Sequence, residues 1–156
     1  MNITNAVRII KSKKIDFEVI EYKEEQVFTD GLEIIKYIND DPKKIFKTIT
    51  LTNGKDYFVA MVDINSEIDL KLCAKAFNEK KLELLPLAKL TSVTGYVRGG
   101  CSPIGMKKSF KTVIDKSALD FDYIYFSAGK IGMQIKMNPL DLTKVIQIDF
   151  YDIRRM

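Results

Sequence analysis

The sequence predicts a mixed α/β (α+β) fold: a mixed sheet or barrel of about seven strands with helices packed around it. Three observations carry that expectation. Short β-rich runs recur along the chain, such as FEVIEY, IFKTITL and YFVAMV. Between them lie stretches with apolar residues at helical spacing, each opened by a capping residue. The two kinds do not alternate in strict βαβ order, which argues against a purely parallel sheet. With 156 residues, 46% of them apolar, the chain has the size and core material of a single domain, residues 1–156.

Each element has a local reason. Thr4 can cap a first helix whose stripe is Ala6, Val7 and Ile10, running to about Lys14. Phe17 to Tyr22 alternates as a strand. Thr29 or Asp30 caps a second helix with Leu32, Ile35 and Ile38 on its apolar side, and Asn39–Pro42 stops it. Two β-rich runs then flank Asn53-Gly54, a hairpin signal because both residues tolerate φ > 0. Asp69 opens a third helix with Leu70, Cys73, Ala74 and Phe77 at i, i+3, i+4, i+7, so Cys73 reads as a small core residue. A short strand is expected at Lys81–Leu84 and a short helix from Pro86 to Val93. Strands follow at Lys111–Asp115, Tyr123–Ser127 and Met133–Met137. Asn138-Pro139 starts a helix through Lys144, and Ile146–Phe150 closes the set.

Composition excludes several chemistries. The chain has no histidine, so it cannot carry a Ser-His-Asp or Cys-His device. With only two cysteines, the usual zinc sites are out of reach as well. No metal and no cofactor is expected. No apolar run approaches the length of a bilayer span, and the N-terminal stretch lacks the apolar segment of a signal peptide. The expectation is a cytoplasmic protein with reduced thiols and no membrane partner. The formal charge of +4 permits a polyanionic partner without requiring one. Lysines gather at positions 11–14, 43–47 and 107–111, which are either solvated helix ends and loops or parts of a nucleic-acid surface.

The densest feature is GYVRGGCSPIG, Gly95 to Gly105. It is no P-loop: Gly100 and Gly105 have the spacing, but Met106 stands where lysine is needed and Lys107 comes one residue late. It is no nucleophile elbow either, since Pro103 and Ile104 follow Ser102 where x-Gly is required. Arg98 could lower the Cys101 thiol pKa, but no oriented base exists for a nucleophilic pair. Four glycines exceed the needs of one turn. They suit either a tight crossover or close backbone approach to a ligand oxygen.

GYVRGGCSPIG resembles the GY-x-x-GG-x-SP-x-G signature of the YbaK/EbsC family of aminoacyl-tRNA deacylases, related to the editing domain inserted in bacterial prolyl-tRNA synthetases. Further matches run in order along the chain: Thr4-Asn5-Ala6-Val7, Phe46-Lys47-Thr48, Leu70-Lys71, Ala74-Lys75-Ala76 and YFSAGKIG from Tyr125 to Gly132. The resemblance implies a mixed barrel surrounded by helices. It also implies trans-editing: removal of cysteine from mischarged Cys-tRNA(Pro), with some action on Cys-tRNA(Cys), and prolyl-tRNA synthetase as a partner in a ternary complex with tRNA. In such proteins the substrate thiol attacks its own ester carbonyl, so no strong protein nucleophile is required.

Residue by residue, the resemblance makes Lys47 the functional lysine, with Thr48 beside it. Taken alone, Lys47 reads as one more surface lysine, although it sits inside an apolar-bounded run. Tyr22 is either a pocket aromatic or a core tyrosine, and Phe28 is a further pocket candidate. Gly99, Gly100 and Ser102 would shape the wall facing the amino acid, and Ser127 and Gly129 a second turn. Two positions depart from the family pattern. Gln134 stands where the Cys-specific subgroup carries Asp, and Ala128 replaces a glycine. An amide binds an ammonium less strongly than a carboxylate does, so the alternatives remain a deacylase for another mischarged tRNA, such as Ala-tRNA(Pro), or an inactive tRNA- or synthetase-binding relative.

Overall fold

A computed structural model of the chain describes residues 3–21 and 35–155. Helix α1 (Asn5–Ser12) begins where its cap predicts: the Thr4 hydroxyl oxygen accepts from the Val7 N–H at 3.2 Å. Ala6, Val7 and Ile10 are buried, as the stripe requires. The helix ends two residues earlier than expected, with Lys14 in the left-handed region at φ 57°. Of the second predicted helix, α2 (Ile35–Ile38) lies within the described residues. Its proposed cap, Thr29 or Asp30, lies outside them.

Eight strands are described: β1 (Glu18–Glu21), β2 (Phe46–Thr52), β3 (Tyr57–Asp63), β4 (Glu83–Leu84), β5 (Thr112–Asp115), β6 (Ile124–Ser127), β7 (Met133–Met137) and β8 (Ile148–Tyr151). They form an antiparallel sheet of order β1-β7-β6 and a mixed sheet of order β4-β2-β3-β5-β8. Within the second, β2–β3 is antiparallel while β3–β5 and β5–β8 are parallel. A single parallel bridge, Ile45 to Tyr125, joins the two sheets. This is the mixed, barrel-like α/β architecture that the patterning and the family resemblance imply.

Strand alternation distributes the core. Phe46, Met61, Ile114, Phe126, Met133 and Ile135 point between the sheets, where α1 closes the end. The opposite face of the mixed sheet, with Leu51, Phe58, Ala60, Val62 and Val113, is covered by Cys73, Ala74 and Phe77 of α3 (Leu70–Ala76). Strand β3 is therefore buried on both faces, which is why its sequence is one unbroken apolar run. Asp69 caps α3, its Oδ1 accepting from the Lys71 and Leu72 N–H groups at 2.9 and 3.0 Å.

Several local expectations shift. The β2–β3 connection is a four-residue loop, Asn53–Asp56, because Thr52 pairs with Tyr57. Gly54 takes φ 97°, whereas Asn53 works through its side chain: Oδ1 accepts from the Lys55 and Asp56 N–H groups at 2.9 and 2.6 Å. That is an Asx turn rather than a two-residue hairpin turn. The helix expected from Pro86 to Val93 is a 3-10 turn, Leu87–Lys89, followed by α4 (Leu90–Thr94). Pro139–Lys144 is 3-10 throughout, since six residues between two strands are too few to repay α-helix nucleation. The last strand begins at Ile148, two residues later than expected, and Lys81–Leu84 shortens to β4.

Candidate active site

The two sheets meet at the Ile45–Tyr125 bridge, and β2 and β6 run on side by side from it, forming a seam between the sheets. Lys47 lies two residues past Ile45, and Ser127 two past Tyr125. By strand parity both face outward, on opposite sides of the seam. Ser127 pairs with Gln134, and Gln134 with Ile20. One cross-strand row thus runs Ile20, Gln134, Ser127 and across the seam to Lys47. Thr48 is not in this row. It pairs with Met61 on the inner face, while Lys47 pairs with Val62 on the outer one. The structure separates the two members of the Lys-Thr pair onto opposite faces of β2.

Polar groups of the row are incompletely satisfied. Gln134 is 3% exposed, and its Oε1 has no hydrogen-bond partner among the described residues. A buried, unpaired amide carbonyl costs about 1–3 kcal/mol, so it marks a place where a donor is expected. Ser127 Oγ accepts from the Gly129 N–H at 3.2 Å, and its O–H has no acceptor among the described residues. Lys47 Nζ meets Glu67 Oε1 at 3.4 Å in a partly exposed ion pair. Buried Thr48 Oγ1 likewise has no partner among the described residues.

The wall beside the seam is a pair of loops packed backbone to backbone. A Cβ on Gly100 would stand 3.1 Å from the Ile131 nitrogen and 3.2 Å from the Lys130 carbonyl carbon. Gly129 combines φ 98° with a position where a Cβ would lie 2.9 Å from the Tyr96 ring. Gly99 rests on the Ile131 side chain. Gly100 therefore permits the close approach of the second loop, Ala128–Gly132. Thr4 joins the assembly, its hydroxyl donating to Ala128 O at 2.6 Å. Tyr96 sits between the loops and donates its hydroxyl proton to Ile104 O at 2.6 Å.

Cys101 and Ser102 belong to this packing. Burial pushes the Cys101 thiol up to about 11, against the opposing hydrogen bond with Thr94, so it is protonated at neutral pH. Ser102 is fully buried, and its Oγ accepts from the Ile104 N–H at 3.3 Å. Its side chain braces the loop instead of facing the seam. Tyr22 and Phe28 lie outside the described residues. Among the described residues no cluster of three or more potential metal ligands occurs, and no helix is long and apolar enough to cross a membrane.

One polar cluster escaped the sequence reading. Asp40 Oδ2 accepts from the Tyr123 and Tyr125 hydroxyls at 2.9 and 2.6 Å. Lys44 stands 3.6 Å from the same carboxylate and donates to Tyr123 Oη at 3.1 Å. Lys44 and Lys136 lie 4.2 and 4.1 Å from the centre of the Tyr123 ring. Burial alone would raise the Asp40 pKa. The hydrogen bonds from Tyr125, the Asp41 N–H and Tyr123, with the Lys44 charge, outweigh it and hold the carboxyl at about 2. This clamp locks residues 40–44 onto the start of β6, two register positions from the Ser127–Gln134 pair. The YIY alternation placed both tyrosines on one face, but nothing local pointed to Asp40, which read only as a helix stop.

The Aminoacyl-tRNA editing domain family matches residues 29–145, which contain Lys47, the glycine loop, Ser127 and Gln134. This chain belongs to that family. The editing domain is 38% identical over 151 residues, 96% of its length and 92% of the relative's, to EbsC of Enterococcus faecalis (strain ATCC 700802 / V583), described as a candidate Cys-tRNA(Pro)/Cys-tRNA(Cys) deacylase. Among solved structures it resembles a candidate trans-editing enzyme for prolyl tRNA synthetase, with TM-score 0.84 and 14% identity over 99% of this chain and 100% of that one. It also resembles a hypothetical protein, APE2540, with TM-score 0.88 and 14% identity over 97% and 100% of the two chains. At that identity the structural likeness speaks for the fold. It agrees with the YbaK/EbsC resemblance of the motifs.

Proposed function

We propose that this editing domain is a trans-editing deacylase that removes cysteine from Cys-tRNA(Pro), with Cys-tRNA(Cys) as a secondary substrate. The observation that carries the reading is the seam row: a cation, Lys47, and a buried acceptor, Gln134 Oε1, with no nucleophile–base pair beside them among the described residues. An aminoacyl ester needs little more. Gln134 Oε1 accepts from the α-ammonium of the substrate, and Lys47 orients the ester and the terminal nucleotide by charge. The substrate sulfur forms a bond to its own carbonyl carbon. The C–O bond to the tRNA ribose breaks, and the thiol proton leaves with the ribose oxygen. Water then opens the cyclic thioester to free cysteine. Preorganised donors that stabilise the developing oxyanion supply the acceleration.

The partners of this reading are mischarged tRNA(Pro) and prolyl-tRNA synthetase, met in the cytoplasm. The 38% identity to the EbsC protein supports the Cys-tRNA assignment. A second reading rests on Gln134 itself, a neutral amide: a deacylase for Ala-tRNA(Pro), in which water or the ribose 2′-OH attacks. A panel of Cys-, Ala- and Ser-charged tRNA(Pro) separates the two. The first predicts release of cysteine at least about tenfold faster than alanine, since a thiol-dependent route is closed to other side chains. Faster release of alanine would establish the second, and no release from any of the three would refute both.

A further inference from the structure

Lys47 is held by a counter-ion that comes from the wrong side for catalysis. Its strand, β2, has β3 on one flank and the seam with β6 on the other. Glu67 lies in the loop that follows β3 and reaches Lys47 Nζ at 3.4 Å. The pair therefore ties the ammonium to the loop on the β3 flank of its strand.

The loop carrying Glu67 is built rigidly. Ile64 N–H donates to Ile45 O at 2.8 Å, the bridge residue two positions before Lys47. Arg155 N–H donates to Glu67 O at 2.8 Å, and Asp69 N–H to Ile153 O at 2.7 Å. Ile68 and Arg154 form an antiparallel bridge. The C-terminal segment is anchored in turn: Asp115 is fully buried, Arg154 Nε lies 3.1 Å from its Oδ2, and its Oδ1 accepts from the Ile153 N–H at 3.0 Å. The backbone of Glu67 is thus fixed by residues 153–155, while its side chain is 70% exposed. A carboxylate on a fixed base, making one long and solvated contact, is easily exchanged.

Resting on the deacylase reading, we propose that Glu67 is a releasable counter-ion that parks Lys47 outside the seam, and that an incoming aminoacyl-tRNA must draw the ammonium off it. Glu67 is a positioning residue acting through Lys47. It lowers the affinity for substrate without taking part in the bond changes. Because the parked and released states differ by one exchanged contact, ground-state binding carries the effect and the chemical step does not.

The test is a double-mutant cycle on binding and turnover of a Cys-tRNA(Pro) transcript, with Glu67→Gln, Lys47→Gln and the two combined, and Glu67→Asp beside them. Glu67→Gln is expected to lower KM and the dissociation constant for tRNA about two- to fivefold, the range commanded by an exposed ion pair, with kcat unchanged. In the Lys47→Gln background the gain in tRNA affinity vanishes, and Glu67→Asp, which keeps the charge, stays near wild type. An equal gain in both backgrounds would mean that Glu67 acts by its own repulsion of tRNA and would overturn the proposal, as would no gain. Binding is read without turnover, so a failure of the deacylase assignment appears separately, as absence of cysteine release.

Discussion

The glycine loop pair and the seam stand side by side and treat their polar groups in opposite ways. In the loops three side-chain hydroxyls are spent on structure: Ser102 holds Ile104, Tyr96 holds the Ile104 carbonyl, and Thr4 holds Ala128. In the seam, among the described residues, Gln134 keeps a buried carbonyl unpaired and Lys47 makes one long contact. The motif that looked most like a chemical device is a rigid wall. The residues that looked like ordinary strand positions hold the unspent hydrogen-bonding capacity.

If the contrast is real, substitutions in the two regions should diverge. The largest stability loss is expected from Gly129→Ala, which places a side chain at φ 98° and against the Tyr96 ring. Thermal or denaturant unfolding should show a loss of about 2–4 kcal/mol from backbone strain and overpacking together. A loss under about 0.5 kcal/mol, the scale of an ordinary surface change, would mean that the loops are not the rigid part.

Gln134→Met should do the reverse. Replacing an unpaired buried amide with a flexible apolar side chain of similar size should raise stability by about 1–2 kcal/mol. It should also slow cysteine release at least about tenfold, as loss of a positioning contact does. A stability loss instead would show that the Gln134 carbonyl is paired in solution.

A smaller, pH-dependent effect belongs to the clamp at the other end of β6 from the loops. The Asp40 carboxyl is held at about 2, below its ordinary 3.8. A depressed carboxyl stabilises the fold fully above the ordinary value, and that contribution is lost as pH falls through 3.8 toward 2. The stability difference between wild type and Asp40→Asn should therefore be largest at neutral pH and shrink across that acid window. A difference that stays constant down to pH 2 would show that the carboxylate charge is not what holds Tyr123 and Tyr125.

What the sequence disclosed follows the range of the interactions. The α1 stripe, the Asp69 cap and the double-sided burial of β3 depend on neighbours a few residues away, so they leave a periodic or capping trace. The Ile45–Tyr125 bridge and the Asp40–Tyr125 hydrogen bond join residues about eighty positions apart and leave none. The wall was legible as glycines, but spacing alone did not say that Gly100 lies against the backbone of residues 130–131. Lys47 and Gln134 came from family resemblance. Their common row came only from strand register, as did the separation of Thr48 from Lys47.

The central claim is that the seam, and not the glycine loop, carries the chemistry. Its most direct test is the rate of cysteine release from Cys-tRNA(Pro) by Lys47→Ala beside Cys101→Ala, each checked for an unchanged fold. The expected result is a loss of about a hundredfold or more for Lys47→Ala, typical of removing a charge that acts on the reacting ester, and a rate within about threefold of wild type for Cys101→Ala, as for a residue outside the machinery. An active Lys47→Ala enzyme beside an inactive Cys101→Ala enzyme would contradict the account.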